Sequence, residues 1–198
     1  MKYFINICIL IGLCVLMNDC KEKEFKFVLG ADNEYTYDLS GSGYFDEIYF
    51  VTSDELIEMT EDLDDELRTN INQVEIEYVK AQLLSQTGNT AGSVTLSVYI
   101  DWNNDMSDVD TLFTKKTVPV TSSESDFVLI TELTIETIDL LKNKLFHAVR
   151  LTDVSPFTVG AVGVVNDGEI EAVLKIVIKA SAVTSDRYDL PFFIISDE

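Results

Sequence analysis

Apolar and polar residues alternate with a period of two over much of this chain. Val94, Leu96, Val98 and Ile100 are separated by Thr95, Ser97 and Tyr99, and Leu174, Ile176, Ile178 and Ala180 by Lys175, Val177 and Lys179. Successive side chains of a strand point to opposite faces, so each run predicts a strand with one face buried. Val74, Ile76 and Tyr78 alternate with Glu75 and Glu77 before the phase slips near Val79, as a β-bulge would make it. The same pattern places strands at Glu24–Leu29, Tyr44–Val51, Leu112–Val120, Asp126–Ile130, Ala148–Val154, Thr158–Val165 and Pro191–Ile195. Asn166-Asp167-Gly168 predicts a hairpin turn between the strands on either side, because glycine accepts the positive φ that such a turn requires. Gly88-Asn89 predicts a turn of the same kind before Val94, and Ser40-Gly41-Ser42-Gly43 a flexible one.

Two segments change to helical spacing. Leu56, Met59, Leu63 and Leu67 predict a helix over about 54–69, with Thr52 and Glu55 as a capping box, Asp54 and Glu58 near its positive end and Arg68 near its negative end. The acidic stretch Glu61-Asp62-Leu63-Asp64-Asp65-Glu66 then reads as the outer face of that helix. Ile135, Ile138, Leu141 and Leu145 share one face of a second helix, around 134–145, closed by Lys142 and Lys144. Eight or more strands, frequent turns and few helices argue against a βαβ architecture. They predict a mainly β fold, an antiparallel β-sandwich, immunoglobulin-like or related, with one or two short helices.

The N-terminus has a different pattern. One lysine, Lys2, precedes an apolar run from Tyr3 to Met17, and Cys20 closes it, followed by Lys21-Glu22-Lys23-Glu24. A positive start, an apolar stretch shorter than the roughly 20 residues that span a bilayer, and a polar boundary make a secretory signal. The segment Met17-Asn18-Asp19-Cys20 resembles the lipobox of bacterial lipoproteins, with Leu16 one step further out than usual. That resemblance implies cleavage after residue 19 and lipidation of Cys20. The loose box and the acidic, strand-rich chain resemble small lipoproteins of Bacteroidota, in which Lys21-Glu22 would mark export to the cell surface. Val74 to Ile100, with its Gly88-Asn89 turn, looks like segments of uncharacterised β-sandwich lipoproteins of that group, a likeness that brings no activity with it. The expected organisation is a signal over 1–19, a lipid-anchored linker over 20–24 and one domain over 25–198, at the outer membrane and facing the surface.

Charge narrows the partners. The chain has 14 Lys and Arg against 35 Asp and Glu, a net charge of −21, and removing residues 1–19 takes out only Lys2 and Asp19, whose charges cancel. Such a surface repels a phosphate backbone, so nucleic acid is not an expected partner. With 46% apolar residues the chain is not of the disordered class. Cys8 and Cys14 lie in the signal, so the exported part holds no cysteine other than Cys20 for a nucleophile, a zinc site or a disulfide.

Candidate chemistry is sparse. Asp101, Asn103 and Asp105 present oxygen ligands at alternate positions, as calcium loops do, with Asp108 and Asp110 beyond them. Met106 stands where an EF-hand has glycine and Leu112 where it has an acid, so the competing reading is a solvated acidic loop between two strands. Trp102, in the same loop, is a candidate platform for a sugar or peptide, or else a loop anchor, and Tyr35, Tyr37, Tyr44, Tyr49 and Tyr99 are further aromatics of core or platform type. His147 is the only histidine and reads as a capping or packing residue between a helix and a strand. There is no Gly-x-Ser-x-Gly elbow. The expected function is a non-enzymatic interaction or structural module, tethered to the membrane by lipid, with a glycan or protein partner. The alternatives are a carbohydrate-binding or glycan-utilisation accessory, with or without calcium, and a small hydrolase using two carboxylates.

Overall fold

A computed structural model describes residues 24–28, 33–61 and 63–185. The strands are β1 (Glu24–Val28), β2 (Asn33–Gly41), β3 (Tyr44–Val51), β4 (Ile71–Ser85), β5 (Ser93–Asp101), β6 (Val109–Thr121), β7 (Val128–Ile130), β8 (Phe157–Val165) and β9 (Ile170–Ser185). Between them lie helices α1 (Ser53–Glu58), α2 (Asp65–Asn70) and α3 (Ile135–Val149). The strand pairs nest like the rungs of one long hairpin: β5 with β6, β4 with β7, β3 with β8 and β2 with β9, all antiparallel. Alternate rungs fall in opposite sheets, where β9 also pairs β4 and β8 also pairs β5. The first sheet therefore runs β2-β9-β4-β7 and the second β3-β8-β5-β6.

Two four-stranded sheets in this order make a double-sheet jelly roll. β1 continues the edge beside the end of β9, and the last residues of β6 run parallel to β4 at Leu83 and Val120, which links the two sheets. The antiparallel expectation holds. An immunoglobulin-like domain instead puts its first, second, fifth and fourth strands in one sheet, which is not the order found. Here every connection from β2 to β9 except the β5–β6 hairpin is a crossing between the sheets.

Those crossings correct the hairpin reading at Asn166-Asp167-Gly168. β8 and β9 lie in different sheets, and the turn carries the chain across. It is locked to the β4–β5 crossing beside it: Gly92 N–H donates to Asp167 Oδ1 (3.0 Å), and the Thr90 and Ala91 amides donate to the Glu169 carbonyl. Gly168 has φ +69°, and a Cβ there would lie 2.8 Å from the Thr90 backbone. The Gly88-Asn89 turn is likewise a sheet crossing. Gly41 and Gly43 frame a third at the same end, where Val165 N–H donates to the Gly43 carbonyl (2.8 Å).

Between the sheets the alternating residues meet as expected. Tyr37, Leu39, Leu83, Leu174 and Ile176 of the first sheet share a buried core with Val94, Leu96, Val98, Phe113 and Val159 of the second. Register shifts at Ile76/Tyr78 place a bulge just before Val79. β2 escaped the pattern, although Tyr35, Tyr37 and Leu39 alternate there, because Asn33, Asp38 and Gly41 are residue types depleted in strands.

The helices gather at the end opposite the glycine turns. The capping box is present: Glu55 N–H donates to Thr52 Oγ1 and Thr52 N–H to Glu55 Oε2. The single helix expected over 54–69 is broken in two, however. Asp64 caps α2 by accepting the Leu67 amide (2.7 Å), which competes with continuing the first helix. Arg68 folds back, its guanidinium donating to Thr60 O (2.5 Å), Thr60 Oγ1 (2.6 Å) and Leu63 O (2.9 Å). It thereby satisfies carbonyls that a broken helix leaves open. Glu61 thus lies at the break, and Asp64, Asp65 and Glu66 at the cap and start of α2, rather than on one helical face. The second helix is longer than predicted and takes over the strand expected at Ala148–Val154: Leu145, Ala148 and Val149 are buried at helical spacing, and Leu151 turns the chain out at φ +53°. The strand expected at Pro191–Ile195, the signal and Cys20 lie outside the described residues.

Candidate functional site

Residues 102–108 join β5 to β6 at the tip of the nested hairpin, on the helix end of the molecule. Asp101 is buried, and its two oxygens accept the loop's own amides, Asn103 N–H (3.3 Å) and Met106 N–H (2.9 Å). Asp105 accepts Ser107 N–H (2.9 Å), and bonds from the Ser107 hydroxyl and amide hold its carboxyl below the usual range. Asp110 accepts the indole Nε1–H of Trp102 (2.7 Å). Asn104, at φ +59°, accepts the Thr158 hydroxyl and donates to the Pro156 carbonyl, which ties the loop to the start of β8. Asn103 and Asp108 are exposed. The five candidate ligands are neighbours in sequence, but three of their carboxylates serve the loop itself. Among the described residues no group of three or more His, Cys, Asp or Glu side chains comes together to hold a metal.

The candidate aromatics divide. Trp102 lies against the core with its ring 5.8 Å from that of Phe157, an anchor for the loop. Tyr35 and Tyr37 are buried edge-on to Tyr49, and Tyr37 donates to the Val159 carbonyl. Burial, with the nearby charge of Glu55 and the phenol of Tyr49, raises the Tyr35 phenol above its ordinary value. Of the capping or packing role expected of it, His147 has the capping one: its Nδ1 lies 2.9 Å from Thr152 Oγ1, and its carbonyl accepts the amides of Thr152 and Asp153 at the end of α3.

A groove of about 400 Å³ runs between α3 and the start of β4, lined by Asn72, Gln73, Val74, Glu75, Lys142, Asn143 and Phe146. Glu75 is the one acid in this lining, whereas glycoside hydrolysis uses two facing carboxylates about 5–9.5 Å apart.

The outer face of the second sheet has a character the sequence pattern did not single out. Tyr44 (67% exposed), Ile48 (66%) and Phe50 (50%) stand outward on β3, with Val164 (48%) beside them on β8. Asp46 lies among them and accepts the Tyr99 hydroxyl (3.4 Å). Burial, then the charge and hydrogen bond of Asp46 and the charge of Asp101, push the Tyr99 phenol up. β3, β8 and β5 contain no Lys, Arg or His. The first sheet differs, since Lys175 pairs with Glu34 (2.8 Å) and Lys179 with Glu77 (4.0 Å), while Lys80 lies over the Tyr78 ring. A signal for the apolar face was available: of the four outward positions of β3, only Asp46 breaks an apolar series.

No family model matches the chain, and no curated protein matches it. Among solved structures it is similar to Desmodium yellow mottle tymovirus (8% identity, 85% of this chain and 91% of that one, TM-score 0.34). It is similar also to the decameric BFDV capsid protein (7%, 81% and 99%, TM-score 0.36) and to turnip yellow mosaic virus (8%, 87% and 99%, TM-score 0.32). Strand pairing, not these distant likenesses, defines the fold.

Proposed function

We propose that the chain is a non-enzymatic interaction or structural module of the cell envelope, anchored through a lipidated Cys20. The observation that carries this reading is the proximity of that cysteine to the folded part. β1 begins at Glu24, four positions on, so the linker spans at most about 14 Å when fully extended. Glu24 pairs with Ser185 at the helix end, where Ile71 meets Thr184 and Val51 meets Phe157. Acyl chains at Cys20 would hold that end near the membrane and turn the glycine crossings outward, and Lys21-Glu22 supports a surface-facing placement. The roles of Asp101, Asp110 and His147 in holding their own loops are consistent with a module that binds rather than reacts. Stable anchoring by lipid usually takes two membrane-binding signals. Replacing Cys20 by Ser should move the protein from the membrane fraction to the soluble one. Equal fractionation of variant and parent would remove the anchor from this reading.

A further inference from the structure

Edge strands expose a row of backbone N–H and C=O groups, and soluble proteins guard them with lysine, proline, bulges or shortness. β6 carries Lys115, Lys116 and Pro119 and shifts register against β5, and β7 has three residues. β3 differs. Its eight residues pair with β8 in unbroken register, and it ends the strand path, hydrogen-bonded on one side among the described residues. It holds neither lysine nor proline, and its outward side chains include the exposed Tyr44, Ile48 and Phe50. Its charges are Asp46, on the outward face, and Glu47, on the inward one, and its sheet neighbours β8 and β5 add the buried Asp101 and no cation.

We infer that the free edge of β3 accepts an extended segment of another protein, apolar and basic at alternate positions, as an added strand. Main-chain bonds along the edge would supply affinity, and alternate side chains specificity. Alternate residues of an added strand face opposite ways. The partner's Lys or Arg, on the outward face, would meet Asp46 and lie over the rings of Tyr44 and Phe50, while its apolar side chains, on the inward face, would pack at the edge beside Phe45 and Tyr49. Charge selects this occupant over a second copy. Pairing two copies of β3 brings together two Asp46 and two Glu47 with no cation on either strand, in molecules each of net charge −21. The carboxylates therefore act against self-association and favour a basic strand.

The inference deepens the interaction-module reading and rests on it, yet it is tested separately from the anchor. The probe is an eight-residue peptide alternating lysine with valine, compared with one alternating glutamate with valine, both titrated into the full chain. Amide exchange is read at Tyr44–Val51. The lysine peptide should bind, protect those amides and weaken as salt is raised. Ile48→Lys, at an exposed position, should weaken binding roughly tenfold or more with unchanged melting. Asp46→Asn should lower both the affinity and its salt dependence. No binding, equal binding by the glutamate peptide, protection elsewhere, or unaltered binding by Ile48→Lys would each overturn the inference. So would a self-associated protein whose β3 amides are protected before peptide is added, which would assign the edge to a second copy. Any of these leaves the fractionation result for Cys20→Ser untouched.

Discussion

In β8, Gly160 and Gly163 each lie beneath an aromatic ring from a neighbouring strand. A Cβ at 160 would fall 2.0 Å from Cζ of Tyr99, and one at 163 would fall 2.6 Å from Cζ of Phe45 and 2.7 Å from the Thr95 carbonyl oxygen. The obstacles differ in kind. Tyr99 is only 9% exposed but lies outside the core cluster between the sheets, so its ring can give way at the loss of its bond to Asp46. The Thr95 carbonyl is backbone of a central strand, and Phe45 faces the core, so position 163 has no comparable relief. Gly163→Ala should therefore cost about 2–3 kcal/mol and Gly160→Ala about 1 kcal/mol, within the range for forced overpacking. Urea unfolding midpoints at unchanged slope would measure both. A larger loss at 160 would mean that the Tyr99 ring is held more firmly than its outward place implies. At this scale the sequence is least informative about the site. Asp101, Asn103 and Asp105 have the same spacing whether their oxygens face a cation or the amides of their own loop, and only the fold of 102–108 separates the two. Trp102 was legible as a residue of two roles, and the position of Phe157 decides for the anchor.

Elements were legible where one face meets the core and the other meets water. Tyr44–Val51 is found at the residues the alternation gives, and Thr158–Val165 within one residue of them. Helix boundaries depended on local chemistry that periodicity does not carry. Leu63 and Leu67 keep the helical period, yet Asp64 starts a new cap and Arg68 bonds backward, so the chain breaks between them. The start of α1 was legible because its signal is local. Glu55 accepts Thr52 N–H (2.7 Å), the Thr52 hydroxyl (2.8 Å) and the Tyr49 hydroxyl (2.6 Å), which joins the cap to β3. Burial alone would raise the Glu55 carboxyl, but these three bonds outweigh it and hold the group below its ordinary value. A depressed folded value means that the stabilisation is fully present above the unfolded value, near 4.3, and is lost as pH falls through the folded one. Thr52→Ala should cost about 1 kcal/mol at neutral pH. The stability difference between the parent and Glu55→Gln should shrink on acidification from about pH 6 to about pH 3. Denaturation at the two pH values would show it, and a constant difference would mean that the Glu55 charge has no part in the cap.

Partner choice among strands belongs to the whole molecule and was not legible. Asn33 pairs with Ile178, far along the chain, and alternation marks a strand without naming its neighbour. For the same reason Asp167-Gly168 gave a sound turn and the wrong consequence, since a sheet crossing and a hairpin ask the same φ of glycine. What the sequence did give at this scale is charge, and charge now has a distribution. The first sheet's outer face sets lysines against Glu34 and Glu77, whereas the second sheet's face holds carboxylates without cations on β3, β8 and β5. A compact state of net charge −21 repels itself more than an expanded chain does. Raising sodium chloride from about 0.01 M to about 0.3 M shortens the screening length from about 30 Å to under 10 Å and should raise the melting temperature. Each kcal/mol of repulsion removed corresponds to about 2–4 °C for a domain of this size. Calcium and magnesium should each do the same and, at matched ionic strength, to the same degree. Asp101, Asp105 and Asp110 already accept bonds from Met106, Ser107 and Trp102, and a cation would have to displace those donors. A calcium-specific increment that disappears in Asp105→Asn would mean that the loop opens its amide bonds and rebuilds around the ion. Equal increments in parent and variant would leave Asp105 as the acceptor that closes the turn at Ser107.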